Sequence, residues 1–237
     1  MNGIDRHIDI IDLKSMIQRD YGNPAYWDQT YEQRPQQFDW YFEWEEFLKD
    51  NYSKLNLQIP ILEVGCGNSN LSHHLTELGY GPIISMDVSK VVISQMHLKY
   101  PNLCFCPMDV RKMNFRNESF SCVIDKGTLD ALFCGHEFYQ AVSKMLTEIG
   151  RILAPGGTFI EITFAQDRLK FLDSPDILPW TLEQQFEFQN DIGTVYIFQF
   201  RKFKEYIYDI HASNQLEQIW SSSSESEDDS FSEGKSH

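Results

Sequence analysis

Residues 61–71, with the sequence ILEVGCGNSNL, constrain the possible folds of this chain more than any other stretch. The first four residues are mostly apolar and predict a buried strand that ends at Gly65 and Gly67. Asn68 or Ser69 can then cap a helix whose apolar residues recur at helical spacing. Glycines let the backbone approach a ligand closely, and the free N–H groups at a helix start attract polar groups. The stretch therefore predicts a cradle for a phosphate or a nucleoside.

Two nucleotide-binding patterns use such a turn, and this chain fits one of them. The dinucleotide pattern G-x-G-x-x-G needs Gly or Ala at the position of Asn70. The methyltransferase pattern E-x-G-x-G-x-[GS] is matched at every position, by Glu63, Gly65, Gly67 and Ser69. Because short glycine patterns also occur by chance, the interpretation needs support from other parts of the chain.

Two acidic residues at the ends of later apolar runs give that support. Asp87 follows the run 83–86 and stands twenty residues after Gly67, where a carboxylate can accept from both ribose hydroxyls. Asp109 follows a third run, where its carboxylate can accept from an exocyclic amine while the next backbone N–H, of Val110, donates to a ring nitrogen. That pair describes adenine recognition, although a lone Asp109 could equally cap a turn.

Composition limits the class of protein. At 237 residues with 42% hydrophobic content, the chain suits one sizeable α/β domain. Its formal net charge of −15 disfavours binding to nucleic acid or to anionic membranes, and it fits either a basic partner or a solvated acidic face. The five cysteines lack metal-ligand spacing, and no secretory or membrane-spanning segment is evident. We therefore expect a cytoplasmic protein with no bound metal.

Apolar runs and turn signals along the rest of the chain alternate between strand and helix periodicity. They predict a Rossmann-like α/β fold with a doubly wound, seven-stranded sheet, mostly parallel with an antiparallel edge hairpin. We divide the chain into an accessory N-terminal helix (1–24), a methyltransferase domain (25–220) and a disordered, acidic, serine-rich tail (221–237).

Aromatic residues are dense ahead of the first predicted strand. Trp27, Tyr31 and Trp40 belong to this group, and packing against the sheet would explain such residues in most proteins. A sulfonium cofactor is cationic, however, and aromatic faces attract cations by roughly 0.5–2 kcal/mol. These three residues are therefore candidates for a cofactor wall.

Six motifs carry a more specific signal: YWDQTY at 26–31, FDWY at 38–41, VGCGNSNLS at 64–72, MDV at 108–110, DKGTLDAL at 125–132 and FAQ at 164–166. With them the chain resembles the seven-stranded (class I) S-adenosylmethionine-dependent methyltransferases. Within that class it resembles the group that methylates lysines of translation elongation factor 1-alpha. The resemblance covers roughly residues 25–203, and GCGNS combined with DKGTLDA is far narrower than the general cofactor motif.

The resemblance implies S-adenosyl-L-methionine as the cofactor and a basic protein, elongation factor 1-alpha, as the substrate. With the glycine motif, it implies ten cofactor-binding residues: Trp27, Tyr31, Trp40, Gly65, Gly67, Asp87, Val88, Asp109, Val110 and Lys126. For Lys126 the residues themselves give no physical role.

Two acidic residues are predicted to act in catalysis. Asp125 and Asp130 follow the fourth predicted strand, at the sheet edge where ligands bind in open α/β sheets. They are candidates to orient a substrate ammonium group and to receive its proton, although Asp130 could instead cap the next helix or lie on its surface. The D-x-x-Y pattern of other lysine methyltransferases is absent, because Thr128 stands at its last position.

Three functions stay open at this point. A protein-lysine methyltransferase is favoured. A small-molecule methyltransferase would need a closed substrate pocket, and the short connection 133–137 offers little chain for a lid. A non-catalytic partner subunit is the third, and the intact cofactor residues argue against it.

Overall fold

Seven strands of the described part of the chain form one sheet. A computed structural model of the protein describes residues 21–36, 38–41, 55, 57–135, 137–205, 215, 216 and 218. Its strands are β1 (Ile61–Val64), β2 (Ile83–Asp87), β3 (Cys104–Pro107), β4 (Phe120–Lys126), β5 (Leu153–Thr163), β6 (Trp180–Gln189) and β7 (Thr194–Lys202). The predicted tail (221–237) and nearly all of the predicted N-terminal segment (1–24) lie outside the described residues.

The strands lie in the order β3-β2-β1-β4-β5-β7-β6. The first five in this order pair in parallel, whereas β7 is antiparallel to both β5 and β6. This arrangement confirms the predicted, mostly parallel sheet with an antiparallel edge hairpin. Because the strand order reverses between β1 and β4, a crevice is expected outside their carboxyl ends.

Helices cover both faces of this sheet. They are α1 (Pro24–Gln33), α2 (Leu71–Glu77), α3 (Lys90–Lys99), α4 (Thr128–Phe133), α5 (Phe138–Ile152) and α6 (Leu169–Leu172), and a 3₁₀ turn spans Gln166–Arg168. Side chains alternate along a strand, so Leu62 packs on the face covered by α5 and Ile61 on the face covered by α2. Within the described residues, no helix combines the length and apolarity needed to cross a membrane.

The start of β5 differs from the prediction. Pro155, Gly156 and Gly157 are predicted to turn into a strand at Thr158, but β5 already begins at Leu153. Leu153 pairs with β4, and the pairing resumes at Thr158 after a register shift, so the residues between them form a bulge. A bulge accommodates extra residues without ending the strand.

The start of α2 also differs from the cap predicted from the sequence. The helix begins at Leu71, and Ser69 Oγ accepts a hydrogen bond from the Leu71 N–H at 3.2 Å. Asn68, by contrast, binds the segment that precedes β1. Its Oδ1 accepts from the Phe38 N–H (3.1 Å), and its Nδ2 donates to the Gln36 carbonyl (2.6 Å). The cap position of α2 is thus Asn70, which forms no side-chain cap bond, whereas Ser69 accepts from the first helical N–H and Asn68 holds residues 36 and 38.

Candidate functional site

A cavity lies at the carboxyl ends of β1, β2 and β4. Its empty volume of about 920 Å³ includes the open solvent at its mouth. The structure brings together all ten residues predicted to bind a cofactor, because each of them lines this cavity: Trp27, Tyr31, Trp40, Gly65, Gly67, Asp87, Val88, Asp109, Val110 and Lys126. Asp125 and Asp130 are not among the lining residues.

The glycine turn after β1 packs tightly against two walls of the cavity. Gly65 and Gly67 have φ angles of +59° and +51°, which side-chain-bearing residues rarely adopt. A Cβ atom at Gly65 would lie 1.9 Å from Thr128 Oγ1, and one at Gly67 would lie 2.6 Å from Tyr31 Oη. Both positions therefore require glycine, for backbone conformation and for space.

Asp87 lies on the cavity floor with its carboxylate fixed by backbone groups. One oxygen accepts from the Gly67 N–H at 2.9 Å, and the other accepts from the Ser89 N–H at 2.8 Å. Ser89 in turn caps α3 by accepting from the Val92 N–H. Burial raises the pKa of Asp87 to about 6, although the two N–H donors oppose that rise. The carboxylate is thus ionised at neutral pH and held in one orientation.

Glu63 is a second buried acid on the cavity wall. Its Oε2 accepts from Ser85 Oγ at 2.6 Å. Burial raises the pKa of Glu63 to about 8, against the lowering effects of the Ser85 bond and of nearby Lys126. Glu63 is therefore mostly neutral at pH 7, and a cation placed in the cavity would favour its ionised form.

Three aromatic side chains form one wall. Trp27 stacks on Tyr31 with ring centroids 6.0 Å apart, and it meets Trp40 edge to face at 6.4 Å. Its indole Nε1 donates to the Tyr21 carbonyl at 2.8 Å, which fixes the ring. The sequence places these residues before the first strand, and the fold brings them over its glycine turn.

Asp109 is paired with an arginine that the sequence interpretation did not single out. Its carboxylate accepts from Arg111 Nε at 2.9 Å and from Nη2 at 2.7 Å, and it also accepts from the Arg111 backbone N–H at 2.9 Å. Burial would raise the pKa of Asp109, but the bonds from Arg111 outweigh burial and lower it. Asp109 is consequently ionised and can accept hydrogen bonds from a ligand. Val110 lines the same part of the cavity.

Lys126 has a definite structural role. Its Nζ donates to the Trp40 carbonyl at 2.9 Å and to Asp39 Oδ1 at 3.2 Å. The Lys126 side chain is 8% exposed and the Asp39 side chain is fully buried. This ion pair connects residues 38–41, the aromatic segment, to the end of β4. The other oxygen of Asp39, Oδ2, is buried and has no hydrogen-bond partner among the described residues.

Asp125 occupies a different place from the one predicted. It is fully buried, and its two carboxylate oxygens accept from the Thr128 N–H (3.0 Å) and the Leu129 N–H (2.8 Å). These bonds satisfy free N–H groups at the start of α4. Here Asp125 shapes the turn that packs against Gly65, and it does not face the cavity.

Asp130 lies behind the cavity wall and joins three parts of the chain. Its Oδ2 accepts from Tyr41 Oη at 2.6 Å and from Thr163 Oγ1 at 2.7 Å. Its Oδ1 accepts from Arg168 Nε at 2.8 Å, and the two side chains form an ion pair. We call Tyr41, Asp130, Thr163 and Arg168 the Asp130 network. In this geometry the carboxylate already has three donors, unlike a free proton acceptor.

A buried carboxylic acid lies next to Asp125. Glu161 is opposite Asp125 in the β4–β5 pairing and is fully buried. Its oxygens meet no donor among the described residues, while the Asp125 carboxylate lies within hydrogen-bonding distance. Burial, and after it the charge of Asp125, raises the pKa of Glu161 well above its ordinary value. Glu161 is therefore protonated and donates to Asp125.

This acid pair predicts a pH-dependent stability. Because the pKa of Glu161 is raised in the folded state, its stabilising contribution is complete below its unfolded pKa and is lost as pH rises through the folded one. Glu161→Gln keeps a donor for Asp125 without a titrating proton. Relative to the wild type, we expect the Tm of the variant to rise as pH increases above the ordinary glutamate pKa, by about 3 °C or more between pH 5 and pH 9. The measurement is thermal unfolding against pH. The exposed Glu187→Gln is the control, and parallel curves for wild type and Glu161→Gln would contradict the assignment.

Several residues of this site were not singled out from the sequence, among them Asp39, Arg111 and Arg168. Asp39 stands inside the FDWY motif, where a charged residue among aromatic residues was an available signal. Arg111 and Arg168 carried no such signal, because their partners are known only from the folded structure. Among the described residues, no group of three or more His, Cys, Asp or Glu side chains could hold a metal ion.

Comparisons with known proteins agree with this geometry. Residues 62–160 match the sequence family described as a methyltransferase domain. The human eEF1A lysine and N-terminal methyltransferase is 38% identical over 155 residues, which are 62% of this chain and 22% of that protein. EEF1A lysine methyltransferase 4 of Mus musculus is 36% identical over 158 residues, covering 61% of this chain and 62% of the relative. The chain thus spans about a fifth of the length of the first relative and less than two thirds of the other.

Solved structures show the same fold. The N-methyltransferase NodS of Bradyrhizobium japonicum, in complex with S-adenosyl-L-homocysteine, superposes with a TM-score of 0.56 over 74% of this chain and 98% of NodS. A protein of Pyrococcus horikoshii gives a TM-score of 0.55 over 73% of this chain and 98% of its own. Their sequence identities of 15% and 18% limit the comparison to the fold.

Proposed function

We propose that the chain is a seven-stranded, class I methyltransferase, and that it acts as an S-adenosylmethionine-dependent protein-lysine N-methyltransferase on translation elongation factor 1-alpha. The observation that carries the proposal is the Asp87 carboxylate, held by the Gly67 and Ser89 N–H groups on the floor of an aromatic-walled cavity. The names of the relatives support the substrate, and a cytoplasmic location follows from it as part of the proposal.

The residues present fit this cofactor. The carboxylate of Asp87 can accept from both ribose hydroxyls, and the ionised Asp109 can accept from the adenine amine beside Val110. The two glycines let the turn pack closely against Thr128 and Tyr31, because Cβ atoms there would overlap these side chains.

The cavity also suits a cationic ligand. The aromatic wall of Trp27, Tyr31 and Trp40 presents ring faces, which attract cations. Glu63 can release its proton when a positive charge enters, since its pKa of about 8 results from burial. When bound, the cofactor supplies an activated methyl group on its sulfonium.

The remaining task of the protein is to place a neutral lysine amine. At its ordinary pKa of ~10.4, removing the lysine proton costs about 4.6 kcal/mol at pH 7. A partly apolar, aromatic site lowers that cost by disfavouring the ammonium form. We therefore propose that Asp125 and Asp130 act by shaping the end of the cavity that receives the substrate lysine. The lysine proton then leaves to water.

The charge of the chain favours a basic substrate. Its formal net charge of −15 attracts positively charged protein surfaces, and such steering mainly raises the association rate. Elongation factor 1-alpha, which by the resemblance is a basic protein, fits that requirement.

Cofactor binding should weaken in acid. The ionised Asp87 carboxylate is a stronger acceptor for the two ribose hydroxyls than its protonated form, and its pKa is about 6. Between pH 7 and pH 5 the affinity for S-adenosylhomocysteine should therefore fall about tenfold. Calorimetric titration across this range measures it. The fall should persist in Glu63→Gln and disappear in Asp87→Asn, whose affinity should be low throughout. A pH-independent wild-type affinity would remove Asp87 from the cofactor site.

A labelling experiment separates the candidate functions. The protein is incubated with methyl-labelled S-adenosylmethionine and a cell lysate, and the label is followed in the protein and small-molecule fractions. We expect label in a protein band that antibodies identify as elongation factor 1-alpha. Label confined to small molecules would indicate a small-molecule methyltransferase instead, and no label would indicate a cofactor-binding subunit without catalysis.

A further inference from the structure

Tyr41 has a strained backbone next to the cavity. Its φ angle is +76°, in the left-handed region that is strained for residues other than glycine. Such a conformation persists only where its surroundings hold it. Tyr41 Oη donates to Asp130, its carbonyl accepts from Asn190 Nδ2, and its ring meets that of Phe164 edge to face at 4.3 Å. The strained residue is thus held through its hydroxyl, its backbone and its ring.

The residue before it lines the cavity. Trp40 contributes to the aromatic wall, and its carbonyl accepts from Lys126 Nζ at 2.9 Å. Because Tyr41 follows Trp40 directly, its backbone conformation constrains the positions of the Trp40 carbonyl and ring. Asp130 therefore affects the wall through Tyr41, without lining the cavity itself.

Beyond the assignment of the cofactor site, we propose that Asp130 is a positioning residue. It holds Tyr41 in its strained conformation and thereby fixes Trp40 and Lys126 on the side of the cavity that receives the substrate lysine. The inference deepens the proposed function and rests on it. It also explains why Asp130 accepts from three donors, one of them the Arg168 guanidinium, at a place where a general base would need a free oxygen.

The network is confined to one end of the site. Its members bind neither Asp87 nor Asp109, the residues proposed to hold the nucleoside. Loosening the network should consequently slow methyl transfer while changing cofactor affinity little.

Two variants test this inference. Tyr41→Phe removes a single hydroxyl donor, and Asp130→Asn removes the charge; the double variant combines them. Tyr100→Phe and the exposed Asp191→Asn are the controls, because both lie outside the network and the cavity lining. The readouts are hydrogen exchange of the peptide containing residues 38–41, affinity for S-adenosylhomocysteine, and kcat and KM for elongation factor 1-alpha at several pH values.

We expect each single variant to raise exchange in residues 38–41 about tenfold and to lower kcat about tenfold, while cofactor affinity changes less than about threefold. The double variant should be no worse than the worse single one, since both remove the same interaction. The pH profile of kcat should keep its wild-type shape.

Two results would overturn the inference. One is unchanged exchange at residues 38–41 in Tyr41→Phe, and this readout does not depend on activity. The other is a loss of kcat in Asp130→Asn alone with an altered pH profile, which would make Asp130 a base. If the wild-type protein transfers no methyl group to the factor, the proposed function fails, and the exchange result by itself then decides whether Asp130 holds Tyr41.

Discussion

Gly65→Ala should lower the affinity for S-adenosylhomocysteine by about a hundredfold or more, equivalent to roughly 2.7 kcal/mol. The new Cβ would lie 1.9 Å from Thr128 Oγ1, and the φ angle of +59° adds backbone strain. Thr128 cannot move away cheaply, because its N–H is bonded to Asp125 and its hydroxyl to the Val64 carbonyl at 3.2 Å. The glycine turn itself must therefore shift, and it forms the wall of the cavity.

Gly79→Ala is a matched control for this variant. Gly79 also has a positive φ, +87°, but a Cβ there would meet nothing within 4 Å. Gly79→Ala should lose stability from backbone strain alone and keep the wild-type affinity for S-adenosylhomocysteine. Calorimetric titration and thermal melting of both variants separate strain from contact. Equal affinities for Gly65→Ala and the wild type would show that the turn does not bind the cofactor.

Lys126→Met should destabilise the protein by about 3–5 kcal/mol, which corresponds to a fall in Tm of ~10 °C. The substitution leaves the Asp39 carboxylate buried without its cation, and an uncompensated buried charge is costly. It also frees the Trp40 carbonyl, so the aromatic segment should loosen and cofactor affinity should fall.

A second substitution tests the cause. Asp39→Asn in the Lys126→Met background removes the stranded charge and should recover much of the stability, but not the cofactor affinity. The exposed Lys90→Met should change neither. If Lys126→Met has the same Tm as the wild type, the ion pair does not hold residues 38–41 against β4.

The sequence predicted the parts of the site that depend on local order along the chain. A strand ending in Gly65 and Gly67, followed at fixed spacing by Asp87, determines both the fold class and the position of the crevice, because parallel strands end at one edge. Aromatic density and family motifs then added Trp27 and Trp40, and the structure places them on the cavity wall.

What the sequence could not supply were partners far apart in the chain. Asn68 fits a helix cap by local rules, yet it binds residues 36 and 38, about thirty positions away. Asp130 was expected to face the substrate lysine, which accepts the methyl group. Its side chain instead bonds Tyr41 and Arg168, which are 89 and 38 positions away along the chain. Side-chain partners of this kind follow from how segments pack, which periodicity does not encode.

The most direct measurement of the central claim is mass spectrometry of purified elongation factor 1-alpha after incubation with this protein and S-adenosylmethionine. We predict one or more methyl groups on a lysine with the wild-type protein and none with Gly65→Ala. At sub-saturating substrate, the initial rate should fall as salt rises, because exposed charges are screened beyond ~8 Å at physiological ionic strength. A wild-type protein that binds S-adenosylhomocysteine but leaves every lysine of the folded factor unmethylated would contradict the account.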